Sequence, residues 1–222
     1  MRAHLIGIDD LLRARPRVVV GDAPGPRRIV LMMVVFGILY GAVMGSFGGV
    51  TGERFLQVVY SGVKVPLLLT ATFLISLPSF FVINTILGLR DDFARALRAL
   101  IATQAAMTVI LASFAPFTAF WYASSSDYQM ALLFNAFMFG LASVTAQLLL
   151  LRLYRPLIAN NPRHRVMVRL WLVIYAFVGI QMGWTLRPFI GAPDVETTFF
   201  RQEAWGNAYV EVANIIMRVV GG

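Results

Sequence analysis

Residues 29–50 read IVLMMVVFGILYGAVMGSFGGV, 22 residues without a charge. About 20 apolar residues in a helix cross the ~30 Å hydrocarbon layer of a bilayer. Gly37, Gly41, Gly45 and Gly49 recur every four residues within this stretch. On a helix, positions four apart share one face, so these glycines predict a groove without side chains. In lipid such a groove lets a second backbone approach closely, and packing supplies the association energy. The pattern therefore predicts a membrane helix that packs on another helix through its glycine face. Whether that neighbour belongs to the same chain, to a homo-oligomer or to another membrane subunit stays open. Gly179 and Gly183 repeat the motif more sparsely near the C-terminal side.

Working outward, four further stretches carry no charge: 65–88, 99–122, 129–151 and 170–186. The last reaches Ile190 if Arg187 snorkels to the interface. The 19 basic and 11 acidic residues all fall between these stretches. Exclusion of charge from hydrocarbon explains such partitioning. The spans must be helical, because an open strand in lipid leaves backbone groups unpaired. A transmembrane barrel would need alternating strands of roughly 10 residues, a poor fit here. The fold class expected is all-α: a polytopic transmembrane bundle of five spans, with interfacial amphipathic helices near both termini.

Composition agrees with that class. Hydrophobic residues make up 59% of the 222, charged residues 14%, and mean hydropathy is +0.74. A soluble domain carries about 25% charged residues. This excludes a free cytosolic enzyme, a secreted disulfide scaffold and a disordered tail. The absence of cysteine excludes disulfides, Cys-ligated metals and a thiol nucleophile. His4 and His164 both lie outside the apolar runs, which argues against haem held by histidine within the membrane.

The chain divides into a 1–28 segment, a 29–190 transmembrane domain and a 191–222 tail. Leu5, Ile8, Leu11 and Leu12 recur at helical spacing and predict a short amphipathic helix on the membrane surface or a docking peptide. Asp9, Asp10 and Asp22 argue against a cleavable signal peptide there. Residues 51–62 are expected to lie along the interface, 121–127 to form a tight turn and 155–165 to form a polar loop. Pro78 and Pro116 are expected to kink their helices. Residues 208–220 are expected to form a short interfacial helix.

Positive charge marks the cytoplasmic side. Counting alternate connections, 14 of the 19 basic residues fall in 1–28, 90–98 and 152–169. The expected orientation puts the N-terminus in the cytoplasm and the C-terminus outside, in a bacterial cytoplasmic (inner) membrane. The net charge of +8 then reflects basic loops that meet anionic lipids at the cytoplasmic face, not nucleic-acid binding.

Candidate functional residues are polar groups in apolar surroundings. Asn84, Gln104, Asn135, Gln147 and Gln181 each need partners in a dry environment. Interhelical hydrogen bonding, worth about 0.6 kcal/mol on average, is one use. The lining of an uncharged polar pathway is the other. Gln181, Trp184 and Arg187 share one helix face, which suggests a Trp-anchored snorkelling arginine. The same face could hold an anion, a lipid phosphate or a tail carboxylate such as Glu203. Asp91 and Asp92 sit favourably at a helix start and are also the starting point for any enzymatic reading, together with 163–169. No mid-span charge, P-loop, zinc-protease motif or Ser-His-Asp set is present, so no catalytic, cofactor or metal residue is assigned.

The layout of a polar N-terminus inside, five closely spaced spans and a short outer tail resembles Yip1-type membrane proteins. That resemblance is one of topology over most of the chain and transfers no functional residue. It implies a role in membrane organisation or trafficking, and the glycine ladder departs from it. The role expected is a non-catalytic structural or accessory membrane subunit that assembles through the glycine ladder of the first span into a homo-oligomer or larger membrane complex, with an oligomeric channel or small-solute transporter that has an uncharged polar pathway as the alternative.

Overall fold

The computed structural model describes residues 26–52, 54–192, 195–201 and 207–210. Among these residues the structure is helical and contains no strand. Five helices follow in order: α1 (Pro26–Gly45), α2 (Arg54–Ile86), α3 (Phe93–Ser124), α4 (Tyr128–Asn160) and α5 (Arg163–Thr185). A 3₁₀ turn, Arg90–Asp92, leads into α3. Four helical segments are long and apolar enough to cross a membrane: α2, the 3₁₀ turn with α3, α4 and α5. The apolar part of α1, Ile29–Gly45, is shorter. The amphipathic helix expected in 1–28 lies outside the described residues, apart from the first turn of α1. The tail helix does so too, apart from 208–210, which are helical.

The helices run further than the charge-free stretches. The interfacial segment expected at 51–62 is instead helix from Arg54 onward, and α2 reaches 33 residues. Its polar residues explain why. Gln57, Ser61 and Lys64 sit at i, i+4 and i+7 and all face inward, while Phe55, Leu56, Val59 and Val63 face out. One helical period organises both sets. The polar loop expected at 155–165 shrinks to Asn161 and Pro162, because α4 continues through Pro156 to Asn160. The turn expected at 121–127 narrows to Ser125–Asp127, with Trp121 and Tyr122 still in α3. The helices continue through Pro78 and Pro116 as well.

Local chemistry sets the ends. Gly88 adopts φ 69° after α2. Leu89 N–H returns to Asn84 O at 2.9 Å, and Gly88 N–H to Thr85 O at 3.0 Å. This is the Schellman pattern, which needs a left-handed residue and so favours glycine. At the start of α4 the Asp127 carboxylate accepts from Gln129 N–H at 2.9 Å and Met130 N–H at 3.1 Å. It satisfies donors that the first helical turn leaves open.

α1 packs on α2 and α3, α3 on α4, and α2 on α5, while α4 and α5 touch less. The five helices run alternately up and down. One end gathers the residues around Pro188, and the other gathers those around Asp92. Two apolar clusters fill the interior. Phe80, Leu100, Leu150, Tyr154, Met167 and Trp171 belong to the first. Tyr40, Met44, Val65, Met107 and Leu111 belong to the second. Trp171 is the hub of the first, with Phe80 at 5.3 Å and Tyr175 at 5.4 Å between ring centroids. α3 is the most enclosed helix, lined by buried Ala96, Ala99, Ala102, Ala105 and Ala106. Small side chains let neighbouring helices come close without a hydrophobic driving force.

Candidate functional site

The site begins with the glycine ladder. A Cβ at Gly37 would meet Pro66 at 3.2 Å. At Gly41 it would meet the backbone of Ser61 and Gly62 within 2.9 Å, and at Gly45 it would meet Gln57 O and the Ser61 side chain at 2.7 Å. The groove of α1 is therefore filled by α2 of the same chain. Gly49 does not extend it: α1 ends at Gly45, and Gly49 lies in the following turn at φ 120°, open on all sides. Its role is conformational, since that φ is strained for any residue with a side chain.

This close approach places the inward face of α2 beneath the segment that follows α5. There, consecutive backbone carbonyls each receive a side-chain donor. Lys64 Nζ donates to Pro188 O at 2.6 Å. Ser61 Oγ and Gln57 Nε2 donate to Phe189 O, the latter at 3.2 Å. Tyr128 OH donates to Ile190 O, and Arg54 to Gly191 O, each at 3.4 Å. The Arg187–Pro188 peptide is cis. A loop in apolar surroundings has carbonyls without helical partners, and each must be satisfied or costs about 1–3 kcal/mol. Lys64 is fully buried, and its ammonium also lies 4.9 Å from the Phe199 ring centroid.

Asn135 is the second polar node. Its Nδ2 donates to Tyr122 OH at 2.7 Å and Ala131 O at 2.8 Å, while Tyr40 OH reaches Oδ1 at 3.4 Å. Tyr122 OH in turn donates to Met44 O at 3.1 Å. One amide thus ties α1, α3 and α4. Gln104 is used separately: it accepts from Tyr175 OH at 2.8 Å and ties α3 to α5. Gln181 accepts from Ala208 N–H at 3.0 Å, and Tyr209 stacks on Phe177 at 4.4 Å, so the tail folds back on α5. Trp184 carries the Arg187 guanidinium 3.2 Å over its ring, a cation–π contact. Glu203, the carboxylate expected to meet Arg187, lies outside the described residues. Asn84 is buried and neither amide atom has a hydrogen-bond partner among the described residues, as is true of Gln147 Oε1.

No protein-family model, curated protein or solved structure matches the chain.

At the opposite end, Asp92 and His164 come together, with Oδ2 and Nε2 at 3.2 Å. His164 is fully buried under Tyr154, and Arg95 reaches the other Asp92 oxygen at 3.3 Å. Arg163 donates to Leu87 O at 3.2 Å. These contacts clamp the 3₁₀ turn to the start of α5. Among the described residues no group of three or more His, Asp and Glu could hold a metal ion.

Gly179 and Gly183 do not pack tightly. A Cβ at Gly179 would meet only Thr72 at 3.5 Å, and one at Gly183 would meet nothing within 4 Å. Both border a cavity of about 460 Å³ between α4 and α5, shared with Leu132, Asn135, Phe139 and Arg187. The polar face of Gln57, Ser61 and Lys64, and the partnership of His164 with Asp92, were not singled out from the sequence. The i, i+4, i+7 spacing was the available signal for the first. Nothing local signals the second, whose members are 72 residues apart.

Proposed function

We propose that this chain is a non-catalytic, five-span integral membrane subunit with a structural or accessory role in a homo-oligomer or larger membrane complex. Its N-terminus lies in the cytoplasm and its C-terminus outside a bacterial inner membrane. One observation carries the reading. Three polar groups on different helices are consumed by separate local partners: buried Asn135 by Tyr40 and Tyr122, buried Gln104 by Tyr175, and half-buried Gln181 by the returning tail. A conduit needs such groups to converge on one wet lumen, whereas a scaffold needs them to knit helices together. The counted span includes α1, whose 17-residue apolar part rises about 26 Å and meets α2 through Gly37, Gly41 and Gly45. Because Gly37, Gly41 and Gly45 are used within the chain, the assembly uses a different face. α4 offers Leu133, Phe137, Leu141, Val144 and Leu148, all exposed.

The chain has no cysteine, so single cysteines can be placed at will. Gln104→Cys, Thr108→Cys and Asn84→Cys, in membranes, are expected to resist a charged, water-soluble thiol reagent. Labelling of all three would favour the channel or transporter reading. Native mass in mild detergent tests assembly, and a strict monomer at every concentration would refute the oligomer.

A further inference from the structure

α4 and α5 are joined by a short connection at Asn161 and Pro162, and near it Leu150, Leu153, Tyr154, Met167 and Trp171 share one core. Toward the Pro188 end the two helices separate. On this part of the seam Gly179, Gly183 and Ala136 contribute almost no side chain. The gap of about 460 Å³ is floored by Met44 of α1 and Leu68 of α2. Leu132 and Ile180 flank it and are exposed, so it opens sideways between the helices, not only upward. Two arginines from separate segments of chain, Arg187 and Arg201, are among the residues that line it.

We propose that this cavity binds one anionic phospholipid, with an acyl chain between α4 and α5 and the phosphate at Arg187 and Arg201. The walls are apolar. Asn135, the amide among the wall residues, already spends its donors on Tyr122 and Ala131, so the interior asks for hydrocarbon. Arginine is the side chain suited to a phosphate: guanidinium forks recognise phosphate oxygens with paired, charge-assisted hydrogen bonds. The Arg187 guanidinium carbon sits 3.2 Å from the Trp184 ring centroid, a contact that limits the orientations it must lose on binding. Two arginines on different segments match the several oxygens of a phosphodiester better than a single carboxylate. A lateral opening lets a chain enter from the bilayer without crossing water. The cavity also falls in the size range of small-molecule sites. The lipid source rests on the membrane reading above, and the site itself does not depend on the oligomeric state.

The test uses the full chain in nanodiscs of phosphatidylcholine and phosphatidylglycerol in equal parts, released into native mass spectrometry. The expected result is one retained phosphatidylglycerol per chain, favoured over phosphatidylcholine. Arg201→Gln, at an exposed position, is expected to cut that preference about tenfold, the loss of a charge-assisted hydrogen bond. Gly183→Phe is expected to abolish retention by filling the gap, and Gly140→Phe, at another open helical glycine away from the cavity, to leave it intact. Equal retention of both lipids, unchanged retention in Gly183→Phe, or displacement by palmitate at equal concentration would each overturn the proposal. Failure of these arms leaves native mass and thiol protection unchanged, so it is distinguishable from failure of the scaffold reading.

Discussion

Gly41 offers the sharpest test of how the bundle is held. An added Cβ lies within 2.9 Å of the Ser61 carbonyl carbon and Gly62 Cα, both backbone atoms that cannot swing aside. The Ser61 carbonyl oxygen is closer still and sets the displacement: to restore ordinary contact, α2 must retreat by about 1 Å. A gap of that size along a helix pair forfeits about a quarter or more of each affected dispersion contact. Overpacking costs about 1–3 kcal/mol, and a clash with backbone that needs a shift of this size belongs in the upper part of that range, about 2–3 kcal/mol. Replacing glycine in a helix by alanine returns up to about 1 kcal/mol. Gly41→Ala should therefore lose about 1–2 kcal/mol net, and Gly41→Leu considerably more. Gly140→Ala, whose Cβ meets nothing within 4 Å, should lose nothing and can gain. The assay is unfolding in mixed detergent micelles followed by circular dichroism, at two protein concentrations. The loss should not depend on concentration, because the partner helix is in the same chain. Gly41→Ala as stable as wild type, or a loss that vanishes at high concentration, would refute the packing argument.

Other outcomes follow from the same contacts. Lys64→Met should expose the 186–191 segment to limited proteolysis, since Pro188 O loses its donor at a cost of about 1–3 kcal/mol; an unchanged digestion pattern counts against that clamp. Asn135→Leu should destabilise by about 0.6–1.7 kcal/mol, the range for interhelical hydrogen bonds in a bilayer, read by the same unfolding assay. The double variant with Tyr122→Phe should be less than additive, because both remove one network. Asp92→Ala should destabilise by about 1–3 kcal/mol, by leaving the buried His164 Nε2 without its partner. An Asp92→Ala protein with wild-type stability would show that the clamp between the 3₁₀ turn and α5 contributes nothing.

Much of the architecture was legible in the sequence, and for one physical reason. Charge is excluded from hydrocarbon, so five uncharged stretches announce helices whatever the tertiary arrangement. The limits of those helices were less legible. Helix does not stop where polarity begins: 54–64 and 152–160 are helical because their backbone bonds are internal, and their polar side chains find partners or water. The ladder at Gly37, Gly41 and Gly45 announced close helix packing, but its partner was undecided, since a groove without side chains is equally complementary to a helix of its own chain and to one of another. Gly179 and Gly183 looked like the same motif. They instead border a gap, because no backbone is placed opposite them.

The sequence by itself determined where the long apolar helices lie, four of them long and apolar enough to cross a membrane, and the face of α1 that seeks contact, because these depend on local periodicity and on where charge can reside. Only the tertiary structure decided that α2 fills that face. It alone brought Gln57, Ser61 and Lys64 under the carbonyls of 188–191, set His164 against Asp92 and left α4 and α5 apart around a cavity. Those pairings join residues from about 70 to more than 120 positions apart. Such distances are closed by the packing of whole helices, which no local pattern encodes.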